Sequence, residues 1–138
     1  MNPSILLTVS VSIIGLLGLG HFILTFWGPK LLPRDRSLKE AMSGVAPVIT
    51  TQTDIWRMWI GFNTSHAMGA MLFGLVYGYL ALVHGELILQ SVFLQVVGFA
   101  MLAGFVLLAK LYWFITPLVG SIVSLLLYSL SVLLAWAA

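Results

Sequence analysis

Two histidines, an asparagine and a tryptophan lie inside long apolar segments, where polar chemistry is unusual. His21 lies near the end of the first segment, and Trp59, Asn63 and His66 follow one another at spacings of four and three in the second. Neutral imidazole is a common axial ligand of haem, and one imidazole can also hold the magnesium of a chlorophyll-type pigment. These four residues are therefore candidate cofactor-binding residues for a tetrapyrrole, a quinone or a lipid.

The same residues have a structural alternative. Each histidine can hydrogen-bond a neighbour, such as Asn63 or a serine of the last apolar segment, and thereby fix the register of two helices. An unpaired polar group in a bilayer costs several kcal/mol, so these side chains must meet a partner under either hypothesis. The sequence leaves both alternatives open.

Other site chemistry is poorly supported. The chain has no cysteine, which excludes disulfides, thiolate catalysis and cysteine-ligated metals. All four carboxylates fall in expected loops or at helix ends, and no His-x-x-x-His pairing exists, so we expect no metal site. A Ser–His pair would lack a buried acid to orient it, and only histidine can titrate at mid-membrane. We therefore expect neither an enzyme with catalytic residues nor an ion-coupled carrier.

Composition indicates the surroundings of the chain. Of its 138 residues 61% are hydrophobic and 7% are charged, with a mean hydropathy of +1.11. Soluble domains carry about 25% charged residues, so the expected solvent and first partner of this protein is membrane lipid. Six cations are too few for a nucleic-acid partner.

Four apolar segments are long enough to span a bilayer. They cover residues from about 5–27, 54–83, 87–113 and 117–136. The N-terminus lacks a cationic region and a small-residue cleavage site, so we expect the first segment to remain as a helix. Because the later connections are short, the sequence predicts an all-α, up-down, integral membrane four-helix bundle in one domain, residues 1–138.

The first loop carries its own signals. Ser37 and Glu40 fit a capping box, which predicts a short interfacial helix over about 38–43 that closes at Gly44. Thr53 is the expected N-cap of the second span, and His84 opens a tight turn after it. Five of the six cations flank this loop, so the positive-inside rule predicts a cytoplasmic loop with both termini outside, in a bacterial-type inner membrane (cytoplasmic or photosynthetic).

Helical spacing predicts which faces turn inward. The inward positions are expected to be Trp56, Trp59, Asn63, His66, Ala70, Phe73 and Tyr77 on span two, Gln95, Gly98, Leu102 and Phe105 on span three, and Ser121, Ser124, Tyr128, Ser131 and Ala135 on span four. Arg57 points away from this seam and is expected to reach lipid phosphates. Small residues predicted to allow close helix contact are Gly15, Gly18 and Gly20 on span one, and Gly61, Ser65, Gly69, Ala70, Gly74 and Gly78 on span two.

Two patches carry a family resemblance. Gly20-His21 near the end of one span, followed by residues 59–69 (WIGFNTSHAMG) opening the next, resembles an uncharacterised family of small four-span bacterial membrane proteins. The resemblance implies the four-span architecture and implies no reaction. The residues that it would single out are His21, Trp59, Asn63 and His66.

Two main functional hypotheses follow. The first is a non-enzymatic accessory or structural subunit that packs against other membrane subunits, or against copies of itself, because four spans leave little mass for extramembrane catalysis. The second is a stand-alone protein that binds a tetrapyrrole, quinone or lipid through His21 and His66. A third class, a membrane enzyme acting on a lipid or quinone, stays open and would need a pocket with His66 and Asn63 that opens sideways to lipid.

Overall fold

Helices make up most of the chain. The computed structural model describes residues 2–137. Within that range lie α1 (Pro3–Phe26), α2 (Arg36–Gly44), α3 (Ile55–Val83), α4 (Gly85–Gln90), α5 (Val92–Tyr112) and α6 (Ile115–Trp136). By length and composition α1, α3, α5 and α6 can each cross a membrane. The shortest, the 21-residue α5, is about 32 Å long against a hydrocarbon core of ~30 Å. The prediction of an all-α protein with four long apolar helices is confirmed.

The third predicted helix differs from the observed one. It is interrupted at Ser91, where α4 ends and α5 begins, instead of running unbroken from residue 87. Ser91 acts as the N-cap of α5, its hydroxyl accepting a hydrogen bond from the amide of Leu94 at 3.4 Å. The side-chain amide of Gln95 donates to the carbonyl of Leu89 at 2.6 Å, which satisfies one acceptor at the end of α4. Gly85 lies inside α4, so the expected turn reduces to His84.

Two helix starts are capped by aspartates instead of the predicted residues. Asp35, and not Ser37, caps α2: its carboxylate accepts hydrogen bonds from the Ser37 amide at 2.9 Å and hydroxyl at 2.8 Å. These bonds, the hydroxyl one foremost, lower the pKa of Asp35. Asp54, and not Thr53, precedes α3 and accepts from the amide of Arg57 at 2.8 Å. A carboxylate caps well because it also meets the positive end of the helix dipole.

The chain divides into two compact units. The large unit is Met1–Leu17 with Ala70–Ala138, and the small unit is Gly18–Gly69. The first residues of α1 therefore belong to the large unit and its last residues to the small one. In α3 the order is reversed, since its residues up to Gly69 belong to the small unit and those from Ala70 to the large one. That the whole chain forms one domain stays a prediction.

The large unit holds the hydrophobic core. Its buried members are Leu7, Val11, Ile14, Ala70, Phe73, Tyr77, Ala81, Ile88, Leu102, Phe105 and Tyr128. The predicted inward faces of the last two spans are confirmed, with one exception. Gln95, Gly98, Leu102 and Phe105 are buried on α5, and Ser121, Ser124, Tyr128 and Ser131 on α6, whereas Ala135 is only partly buried, one turn from the end of that helix.

One pair of predicted small residues makes a close helix contact. A Cβ added to Gly74 of α3 would lie 2.6 Å from the Cα of Gly15 on α1, so only glycine permits this approach. The expectation fails at Gly20, Gly61 and Gly69, where an added Cβ would meet nothing within 4 Å in the structure.

Candidate functional site

The candidate site is a hydrogen-bonded pair in the small unit. Nε2 of His21, in the last turns of α1, lies 3.0 Å from Oδ1 of Asn63 on α3. The amide nitrogen of Asn63 donates to the backbone carbonyl of Trp59 at 2.8 Å, one turn earlier on the same helix. That bond fixes which way the amide faces, because its NH2 group must point at the carbonyl.

The orientation of the Asn63 amide determines which ring nitrogen of His21 carries the hydrogen in their bond. Oδ1 of Asn63 carries no hydrogen, so Nε2 of His21 must be the donor in the bond between them. In the neutral ring the lone pair then lies on Nδ1. The nitrogen already bonded to Asn63 is therefore not open to a metal unless this hydrogen bond breaks.

His66 lies beside this pair. Its ring centroid is 5.5 Å from that of His21 and the two planes meet at 85°, an edge-to-face contact. His66 follows Asn63 by three positions on α3, which places both on the same face of the helix. Both imidazoles are partly buried. The structure thus brings the candidate residues His21, Asn63 and His66 together, and all three are partly buried.

Trp59 takes part through its backbone. Its carbonyl orients Asn63, while its indole ring stacks on Trp56 with centroids 5.1 Å apart and planes 10° from parallel. The ammonium of Lys39 on α2 lies 5.1 Å from the Trp56 ring centroid, a cation–π contact. The start of α3 is therefore joined to the first loop on one side and to the histidine pair on the other.

A second polar cluster, in the large unit, joins α1 to α6. The hydroxyl of Ser10 donates to the carbonyl of Ser124 at 2.7 Å, and the hydroxyl of Ser124 donates to the carbonyl of Ser10 at 2.8 Å. Both serines are fully buried. Ser124 was predicted to face inward, but the sequence analysis missed Ser10. It lies eleven residues before His21, three helical turns, so the spacing that aligned the other polar residues would also have identified it.

The break before α5 forms a third cluster in the large unit. The phenol of Tyr128 donates to the carbonyls of Gln95 and Leu94 at 3.2 and 3.3 Å, and the phenol of Tyr77 donates to Leu94 at 2.9 Å. A Cβ at Gly98 would collide with the phenol of Tyr128, so this glycine makes room for it. The indole of Trp136 donates to the Gln95 side chain at 3.1 Å.

These clusters use their polar groups within the protein. Among residues 2–137, every buried side-chain nitrogen or oxygen has a hydrogen-bond partner. The arrangement can hold helices in register and can orient an imidazole. Whether His21, His66, Asn63 or Trp59 also binds a tetrapyrrole or quinone stays a prediction. In the same range no group of three or more metal-ligating side chains forms a metal site.

Comparisons with protein-family models, curated proteins and solved structures give no match.

Proposed function

We propose that this chain is a non-enzymatic accessory subunit of a larger membrane complex. The observation that carries the proposal is how the interior polar groups are used. His21 is bonded to Asn63, Ser10 to Ser124 and Tyr128 to α5. Polar side chains that are hydrogen-bonded in this way hold helices together, which is the usual role of such groups in membrane bundles.

The division of the residues between long helices and short connections supports a role in packing. Outside the four long helices, residues 2–137 hold one loop with the nine-residue α2 and two connections, one of which contains the six-residue α4. Large apolar side chains are exposed along all four long helices, including Leu16, Leu75, Phe99 and Leu126. Any specific partner must therefore be recognised mainly by the faces of the helices, where other membrane subunits or further copies of the chain would bind.

The orientation of the subunit belongs to the same proposal. Lys30, Arg34, Arg36 and Lys39 all lie between α1 and α3, and Arg57 lies in the first turn of α3. The positive-inside rule would hold this loop in the cytoplasm and leave both termini outside, in a bacterial-type inner membrane. Membership of the family of small four-span bacterial membrane proteins that the two patches resemble is likewise proposed.

The mass of the native particle tests the proposal. Membranes that contain the chain at its natural level are solubilised in a mild detergent, and the particle is measured by native mass spectrometry. We expect a mass well above the 15.1 kDa of one chain. Co-expression of two differently tagged copies then separates a homo-oligomer, in which the tags co-purify, from a complex with other subunits. A lone monomer across several detergents would contradict the proposal.

A second function is favoured by one specific observation. Two partly buried imidazoles lie 5.5 Å apart, and in its neutral form His21 keeps a lone pair on Nδ1. This arrangement supports binding of a tetrapyrrole or quinone, with His21 and His66 as ligands or hydrogen-bonding groups. A Soret band in the purified protein that is lost in His66→Ala would favour this function, with Ser65→Ala as the control one position away. A colourless preparation would exclude a bound tetrapyrrole, and organic extraction followed by mass spectrometry would test for a quinone.

A further inference from the structure

A shallow groove on the small unit combines an apolar floor with cations at one end. Its lining includes Phe26 of α1 and Trp56, Arg57, Gly61, Ser65 and Met68 of α3. The groove is open to its surroundings, and its lining residues Phe26 and Met68 are 50% and 56% exposed. Gly61 lines the floor of the groove. A Cβ added there would meet no atom within 4 Å, so a larger side chain would occupy the groove.

The groove has the length of one membrane leaflet. Arg57 and Met68 are eleven residues apart on α3, which corresponds to about 16 Å along the helix axis. Half of a ~30 Å hydrocarbon core is about 15 Å. A lipid acyl chain that enters the groove beside Arg57 would therefore reach the middle of the bilayer near Met68.

Arg57 lines the groove, and Lys39 contacts the ring of Trp56, the residue before Arg57. The Arg57 side chain is 76% exposed and its Nε lies 3.3 Å from the carboxylate of Asp54. This ion pair holds the guanidinium near the start of the helix, while its two terminal nitrogens carry four further N–H donors. Lys39 places its ammonium 5.1 Å from the ring centroid of Trp56, which itself lines the groove. Phosphate oxygens are the acceptors that such paired donors fit.

Charge is concentrated in the same unit. The small unit holds five of the six cations and three of the four carboxylates, so its formal charge of +2 equals that of the whole chain. Each Lys or Arg near an anionic bilayer surface contributes about 1 kcal/mol of attraction. The charge therefore favours an anionic lipid over a zwitterionic one.

We infer that this groove binds one anionic phospholipid, with its phosphate against Arg57 and Lys39 and one acyl chain along Gly61 toward Met68. A generic boundary lipid would need neither the cation pair nor the open floor at Gly61. The inference requires only that the chain is a membrane protein, and it holds whether or not the chain is an accessory subunit.

Titration of defined lipids into the full chain tests the inference. The protein in detergent is titrated with phosphatidylglycerol or phosphatidylcholine of identical acyl chains, and bound lipids are counted by native mass spectrometry. We expect one tightly bound phosphatidylglycerol, with a dissociation constant at least about fivefold below that of phosphatidylcholine, the equivalent of ~1 kcal/mol for one cation. Inorganic phosphate at millimolar concentration should not displace it, because the ion has no acyl chain.

Four variants test the contact with the lipid headgroup and the contact with the acyl chain separately. Arg57→Gln should weaken phosphatidylglycerol about fivefold and phosphatidylcholine less, because the choline cation offsets the charge of its phosphate, whereas Arg57→Lys should keep the preference. Gly61→Leu should weaken both lipids because it fills the floor. Gly69→Leu is the matched control, since its Cβ also meets nothing within 4 Å but Gly69 does not line the groove.

Any one of the following results would overturn the inference. They are equal affinity of the wild-type protein for the two lipids, an unchanged preference in Arg57→Gln, and equal weakening by Gly61→Leu and Gly69→Leu. Displacement by inorganic phosphate alone would show an anion site without a lipid and would overturn it as well. Arg57→Gln changes an exposed side chain, so the headgroup test remains valid even if a leucine variant fails to fold.

Discussion

Replacing Gly74 by alanine should separate two helices that now touch through their backbones. The new Cβ would lie 2.6 Å from the Cα of Gly15, 3.0 Å from its amide nitrogen and 3.1 Å from the carbonyl oxygen of Val11. All three are backbone atoms, which cannot move by changing a rotamer. Carbon atoms pack at about 3.5–4.0 Å, so α1 and α3 must move apart locally by roughly 1 Å.

The cost of this movement is best measured against a second glycine. Overpacking of a close contact costs about 1–3 kcal/mol, but alanine also favours the helix over glycine by up to ~1 kcal/mol. Gly78 lies one turn further along α3, and there an added Cβ would be 3.9 Å from a methyl of Val11, an ordinary contact. The helix-propensity gain is common to both variants, so Gly74→Ala should be less stable than Gly78→Ala by about 1–3 kcal/mol.

The comparison can be made by unfolding in mixed micelles, with a denaturing detergent as titrant and circular dichroism as readout. Gly78→Ala should unfold at or above the wild-type midpoint, and Gly74→Ala clearly below it. Gly15→Ala should be milder than Gly74→Ala, because its Cβ would lie 3.4 Å from the nearest atom. If Gly74→Ala and Gly78→Ala unfold together, the close backbone contact between α1 and α3 does not exist.

Three further predictions concern the polar contacts. Ser10→Ala and Ser124→Ala should each cost about 0.6 kcal/mol and should couple by at least ~0.5 kcal/mol in a double-mutant unfolding cycle, because the two hydroxyls lie 3.1 Å apart and each donates to the other residue's backbone carbonyl; additivity of the two changes would contradict this contact. His21→Ala and Asn63→Ala should also couple, by about 0.6 and at most ~1.7 kcal/mol, since their bond joins two side chains, and strict additivity in the same assay would refute the bond. The lowered pKa of Asp35 means that its cap on α2 is fully present above its unfolded pKa and is lost as pH falls through the folded one. Backbone NMR shifts of α2 should therefore move toward coil only below about pH 4, and should not do so in Asp35→Asn.

The sequence determined the class of this protein and the faces of its helices. A composition with few charges disfavours a surface exposed to water, and four apolar segments of sufficient length favour helices in lipid. The burial of Gln95 and Gly98 on α5 and of Ser121 and Ser124 on α6 followed from spacing, because residues three and four apart share a face whatever that face meets.

Only the tertiary structure decided which residues on those faces meet. Periodicity is a property of one helix, whereas a contact depends on where two helix axes approach each other. It therefore could not select Asn63 over a serine as the partner of His21, Gly15 over Gly20 as the contact of Gly74, or Ser10 as the partner of Ser124. The break at Ser91 was not apparent because the apolar segment resumes directly after Gln90 and Ser91, and the Leu89 carbonyl at the end of α4 is satisfied by the side chain of Gln95, six residues later.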